Sequence, residues 1–309
     1  GPGRCHVVVT LGSVAFVFLA GLATALATGL GAVPFFFVEE IGDRWNVVLW
    51  GLASGIMLAA SGFGLVVEGL NASTGLPVLL VAGVAAGVAL VVAADAVIER
   101  VDLDGLSATP QPSEADATNR EPAQTRTDGG EAEGETQLIS TAVTEGDLRK
   151  LLLIFGILTI HSFPEGVAVG VSFADVGLDG GLSLFGVTVP LLAVFMTVAI
   201  SIHNVPEGVA VSIPLRSMGV DNWRLVAAAV FSSLPQPVGA VVAFLFVSWA
   251  RAFLPFGFGF AAGAMVFLVV SEFLPEALEL GENLDGGGYR ELAGGTVAGV
   301  LLMLPLLLF

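Results

Sequence analysis

Two ten-residue stretches of this sequence carry side chains able to hold a metal ion, and they are near-copies. One is HSFPEGVAVG, His161 to Gly170; the other is HNVPEGVAVS, His203 to Ser212. They agree at seven of ten positions: His, Pro, Glu, Gly, Val, Ala and Val. In each copy the His and the Glu stand four residues apart, so on a helix they share one face about one turn apart. His161, Glu165, His203 and Glu207 together offer two imidazoles and two carboxylates. That near-tetrahedral nitrogen–oxygen set suits Zn²⁺ and other divalent first-row ions. The prolines fit the same chemistry. Pro164 frees the carbonyl of Ile160 from its helix hydrogen bond, and Pro206 frees that of Ile202. A freed carbonyl at membrane depth needs an ion, a water or a neighbouring helix. The kink also opens space beside the ligands, as the broken helices of transporters do.

The surroundings sharpen the question. Both copies lie in long apolar runs of a 309-residue chain that is 55% hydrophobic and 13% charged, with mean hydropathy +0.90. Soluble domains carry about 25% charged residues. An ionisable group at the centre of a bilayer costs at least ~2.5 kcal/mol. A single buried His is more often a hydrogen-bonded core residue than a ligand, and a single Pro-Glu-Gly is usually a turn. Duplication in adjacent apolar segments, using two of the three histidines, favours a cation site facing a polar cavity. The third, His6, takes no role.

The elements that must position these residues are transmembrane helices, each needing about 20 apolar residues. Eight apolar segments qualify: 7–30, 46–69, 76–99, 148–174, 183–213, 222–249, 254–280 and 291–309. The expected fold is an all-α integral membrane protein with one transmembrane domain over 1–309. Eight transmembrane helices cross the bilayer, with the fourth and fifth kinked, antiparallel and paired at the core. Residues 100–147 are polar, acidic and poor in aromatic and β-branched residues, and read as a disordered cytoplasmic loop. Trp45, Trp50, Trp223 and Trp249 all fall near segment ends, as an aromatic belt would place them. The first and third segments are rich in small residues that permit close helix contacts. The opening GPG, without Met, is expected to be a remnant of processing and to stand outside the fold.

Charge sets orientation and excludes one class of partner. With the N-terminus outside, cytoplasmic loops hold Arg44, Arg100, Arg120, Arg126, Arg149, Lys150, Arg216, Arg224 and Arg290, and only Arg4 and Arg251 lie outside. Both termini are thus expected outside, in a multi-pass protein of the cell (plasma) membrane. A net charge of −17 with 11 Lys and Arg gives nucleic acid no basic patch. The lone Cys5 forms neither an internal disulfide nor a cysteine metal cluster.

The eight spans, the variable loop after the third and H-[SN]-x-P-E-G in both the fourth and fifth resemble the ZIP (zinc/iron-regulated transporter-like) metal transporters, the prokaryotic branch most of all. The resemblance covers nearly the whole chain. It implies uptake of a divalent metal into the cytoplasm, with His161, Glu165, His203 and Glu207 as the main transport site. It also implies outward-facing termini and a homodimer, for which the glycine-rich first and third helices offer a contact. Met57, in GIMLAAS, corresponds to a methionine near the metal path. Many members carry Asn after the fourth-helix histidine and Glu in the sixth helix, which build a second site. Here Ser162 and Gln236 stand in those places and Asn204 is retained, so one well-formed site is expected. Glu272 and Glu276, one turn apart in VVSEFLPEALEL, and Asp95 are candidates for relaying metal at the mouths of the path or for solvated helix-end acids; Glu68 is a further acid within a span.

Three functional readings follow. The first is carriage of Zn²⁺ or a related divalent cation (Cd²⁺, Mn²⁺, Fe²⁺, Co²⁺) as transported substrate, through loose binding that competes with imidazole protonation near neutral pH. The second is an intramembrane metalloenzyme with an open zinc position, although H-E-x-x-H is absent. The third is a proton-coupled carrier of an organic solute, using His–Glu pairs as relays.

Overall fold

The structure is a computed structural model that describes residues 10–38, 40–98, 162–177, 181–184, 186–217 and 219–307. The helices are α1 (Leu11–Leu30), α2 (Asp43–Asn71), α3 (Val78–Ile98), α4 (residues 162–172), α5 (Leu191–Ser217), α6 (Asn222–Trp249), α7 (Arg251–Leu280) and α8 (Tyr289–Leu307). Among the described residues, five helices are long and apolar enough to cross a membrane: Leu11–Phe36, Asp43–Asn71, Leu191–Ile213, Asn222–Trp249 and Arg251–Leu280; Val78–Ala94 adds a shorter apolar helix. The expected loop 100–147, the first half of the fourth span and residues 7–9 of the first lie outside the described residues.

One expected span is shorter than the hydropathy suggests. Residues 183–184 and 186–189 are not helical. Leu182–Leu184 (β1) and Val187–Val189 (β2) pair as an antiparallel hairpin, and α5 starts only at Leu191. The β-branched Val187, Thr188 and Val189 favour a strand, Gly186 supplies the turn at φ +80, and Pro190 precedes the first helical turn.

Two helices widen where their backbone is disturbed. α2 passes through a π turn at Ala60–Val66, and α7 through one at Val269–Phe273. The second lies just before Pro275, which cannot donate to the carbonyl four residues back; a π adjustment is the local way to re-satisfy it. α6 breaks at residues 233–234 and restarts at Pro235, so Gln236 stands in the first turn of its second half.

Without a hydrophobic force between helices in lipid, packing depends on close backbone approach. Glycines supply it in two helix pairs. A Cβ on Gly55 of α2 would lie 2.1 Å from the Thr296 carbonyl oxygen of α8, and one on Gly299 would lie 2.3 Å from that of Leu52. Between α3 and α7, a Cβ on Gly87 would lie 2.1 Å from the Phe260 oxygen and one on Gly259 2.2 Å from that of Leu80. On α1, Gly21 packs on Pro237, and just past its end Gly31 packs on the Val205 carbonyl. Of the glycines in the first and third helices, Gly21, Gly29, Gly83 and Gly87 pack against other helices of the same chain. The tryptophan belt also needs correction. Trp45, Trp223 and Trp249 are 68%, 72% and 86% exposed, but Trp50 turns inward and packs edge-on against Phe273 with ring centroids 4.8 Å apart. It lies two turns inside α2, on the face toward α7.

Gly55→Val should cost the folded state about 1–3 kcal/mol or more, as overpacking does, whereas Gly62→Ala, with open space around it, should be near neutral. Thermal unfolding of the two purified variants in detergent checks the contrast.

Candidate metal centre

Glu165 of α4 and His203 and Glu207 of α5 come together inside the bundle. One ligand-type atom from each lies within 4.8 Å of the others. His203 Nε2 is 3.1 Å from Glu165 Oε1 and 3.9 Å from Glu207 Oε2. His203 and Glu165 are buried, and Glu207 is partly so. His161, the remaining expected ligand, lies outside the described residues. The pair on α5 meets because residues four apart share a helix face. The pair across helices meets because α4 is drawn against α6 and α5 against α1, and those two helices are joined to each other.

How they are drawn is visible in the repeat itself. In the first copy, the Ser162 hydroxyl donates to the Ser232 carbonyl of α6 at 3.0 Å, and a Cβ on Gly166 would lie 2.2 Å from the Gln236 carbonyl oxygen. In the second copy, the Asn204 amide donates to the Thr24 carbonyl of α1 at 2.7 Å, and a Cβ on Gly208 would lie 1.8 Å from the Thr28 carbonyl oxygen. The second residue of each motif thus ties to a neighbouring carbonyl, and its glycine admits the same neighbour one turn on. Pro-Glu-Gly reads as a packing device on which the Glu rides.

The remaining candidates distribute around this centre. Gln236 donates through Nε2 to Glu165 Oε2, and its Oε1 accepts from Asn204 Nδ2 at 3.0 Å and the Thr24 hydroxyl at 2.6 Å. Ser162, Asn204 and Gln236 are therefore engaged in hydrogen bonds that join helices. Met57 is buried in the apolar core cluster that also holds Val167 and Ile200. Glu272 and Glu276 are half-buried along α7, outside the three-residue group; the side chain of Asp95 lies outside the described residues. Glu68 lines a cavity of about 300 Å³ with Ser172, Asp175 and Leu254, beside which Arg251 pairs with Asp175.

Two participants had no signal in the sequence. Phe273 stacks on the His203 ring, with centroids 5.4 Å apart and planes 21° apart; nothing distinguished it among 21 phenylalanines. Thr24, 212 positions from Gln236, looked like one more small residue of an apolar helix. His203 Nδ1 and Asn204 Oδ1 are buried with no hydrogen-bond partner among the described residues. An imidazole nitrogen and two carboxylates form a donor set of the kind that takes Zn²⁺.

Helices of membrane-spanning length around a buried imidazole–carboxylate cluster define a multi-pass membrane protein with an internal site suited to a divalent cation. The family model described as "ZIP Zinc transporter" matches residues 14–304, and the chain belongs to the ZIP zinc transporter family. It is similar to a candidate zinc transporter of Arabidopsis thaliana, 38% identical over 268 residues, which cover 86% of this chain but only 35% of that protein; the chain spans about a third of that relative. It is 32% identical to the zinc transporter ZIPB of Bordetella bronchiseptica, over 98% of this chain and 82% of that one. The zinc transporter GufA of Myxococcus xanthus is 31% identical, over 93% and 96% respectively. Membership in this family decides among the three readings of the sequence in favour of metal transport and against the enzyme.

Replacing His203 by Ala should weaken zinc binding by at least about 100-fold, beyond the loss usual for a merely supporting residue. Calorimetric titration of the purified protein checks this and should find one tight zinc per chain.

Proposed function

We propose that this protein takes up divalent metal ions, zinc foremost, into the cytoplasm, passing them through a site between α4 and α5 built from His161, Glu165, His203 and Glu207. The observation that carries the reading is the meeting of Glu165, His203 and Glu207 within 4.8 Å in a bundle of apolar helices. Other ions of the same charge, Mn²⁺, Fe²⁺, Co²⁺ and the larger Cd²⁺, are taken by donors of the same kind. Eight spans cross the cell membrane, and the two motif-bearing spans are kinked at Pro164 and Pro206. His203 Nε2 and Glu165 Oε1 face each other at hydrogen-bond distance, and a cation bound there would compete with protons for the imidazole and carboxylates. Both termini face outward and residues 100–147 lie in the cytoplasm, which the distribution of Lys and Arg supports.

Proteoliposomes holding the protein should accumulate Zn²⁺, and His161→Ala and Glu207→Ala should each abolish that flux; a panel of the five divalent ions ranks substrates. Undiminished flux in both variants would remove the site from the path. A reporter fused at residue 120 should read as cytoplasmic, and an external signal would reverse the topology.

A further inference from the structure

A run of hydrogen bonds passes through buried side chains around the proposed ion site, and its direction can be assigned from one end. The backbone carbonyl of Thr24 can only accept. The Asn204 side chain lies 2.7 Å from it, so the amide nitrogen must face it. The same nitrogen is 3.0 Å from the Gln236 amide, and a donor there fixes the Gln236 atom as oxygen. The Thr24 hydroxyl is 2.6 Å from that oxygen and 2.7 Å from the Gly21 carbonyl, so its one proton is shared between two acceptors. With Oε1 committed, Gln236 presents Nε2 to Glu165 Oε2. Thr24, Asn204 and Gln236 are each 0% exposed and Glu165 is 3% exposed, so the orientation is built into the protein interior.

We propose that Gln236, oriented by Asn204 and Thr24, is a positioning residue that sets metal preference: it occupies Glu165 Oε2 and leaves the ion only Oε1. The inference rests on Glu165, His203 and Glu207 being the ion's ligands. A carboxylate with one oxygen held by an amide binds a metal through a single atom. Zn²⁺ is content with four ligands and one oxygen from each carboxylate. Larger divalent ions collect more oxygens and often use both atoms of a carboxylate, as Ca²⁺ does. The held carboxylate therefore favours a small ion over a larger one of equal charge, for which Cd²⁺ is the probe. Gln236 also keeps Glu165 in place when no ion is bound, because a charge-assisted hydrogen bond to a fixed amide outlasts the cargo.

The test is calorimetric titration of the purified full-length protein with Zn²⁺ and with Cd²⁺, for the wild type, Gln236→Ala, Thr24→Val and the double variant. Gln236→Ala should weaken zinc binding by about tenfold or more, the usual effect of removing a ligand's supporting partner, and should weaken cadmium binding less. The ratio of the two affinities thereby shifts toward cadmium. Thr24→Val, which preserves side-chain shape, should shift the ratio in the same direction and add nothing in the Gln236→Ala background, the signature of two residues acting in series. A ratio unmoved by either single variant, or additive effects in the double, overturns the inference. If Gln236→Ala does not fold, as judged by its melting without metal, the ratio in Thr24→Val alone decides. His203→Ala separates this failure from a deeper one. Intact zinc binding in that variant overturns the ion site itself, whereas lost binding beside an unmoved ratio in Gln236→Ala overturns only the role of Gln236.

Discussion

The arrangement depends on keeping a carboxylate inside an apolar helical bundle. Glu165 is 3% exposed, and an ionised group so placed is costly unless each oxygen has a partner. Both do: Oε1 faces His203 and Oε2 accepts from Gln236. These partners come from two other helices, so satisfying one side chain requires α4, α5 and α6 to converge on one point. The glycine beside Glu165 makes convergence feasible. Gly166 lets the α4 backbone touch that of Gln236 itself, at a distance a Cβ would forbid. Gln236 thus meets one residue of the motif through its backbone and the adjacent one through its amide.

The second copy of the motif solves the same problem with α1 in place of α6. Ser162 and Gly166 meet residues 232 and 236, and Asn204 and Gly208 meet residues 24 and 28. In both cases the two contacts are one helical turn apart on both partners. The repeat is therefore structural as well as chemical, and each half of the centre has its own backing helix. The two backing helices are then joined to each other, by the Thr24 hydroxyl to Gln236 and the Thr28 hydroxyl to Ser233 at 2.7 Å. Buried hydroxyls that look like small-residue filler in an apolar sequence close the polar centre into one connected unit.

Much of this was legible in the sequence because charge is rare in lipid-facing chains. His203 and Glu207 stood out four apart in an apolar run, and their repeat told which segments must meet. The bounds of α3, α6 and α7 followed from hydropathy because turn residues and charges interrupt it cleanly. The hairpin of Leu182–Leu184 and Val187–Val189 was not legible, since LSLFGVTV is as apolar as a helix and periodicity alone does not separate a short apolar strand from a helix segment. The inward turn of Trp50 was hidden for a related reason: nearness to a segment end gives depth, not the side of the helix. The glycines of α1 and α3 signalled close contact but not with whom. The Thr24–Asn204–Gln236 connection joins positions far apart in the chain, and only three-dimensional packing brings them together.

Trp50 leans on Phe273, and Phe273 lies flat on the His203 ring, so one indole is two aromatic contacts from His203 while the other three face outward. Phe273 thus links the indole to the imidazole through ring contacts on both sides. Trp50 is thereby set apart from the three exposed tryptophans: it belongs to the packing around the buried imidazole.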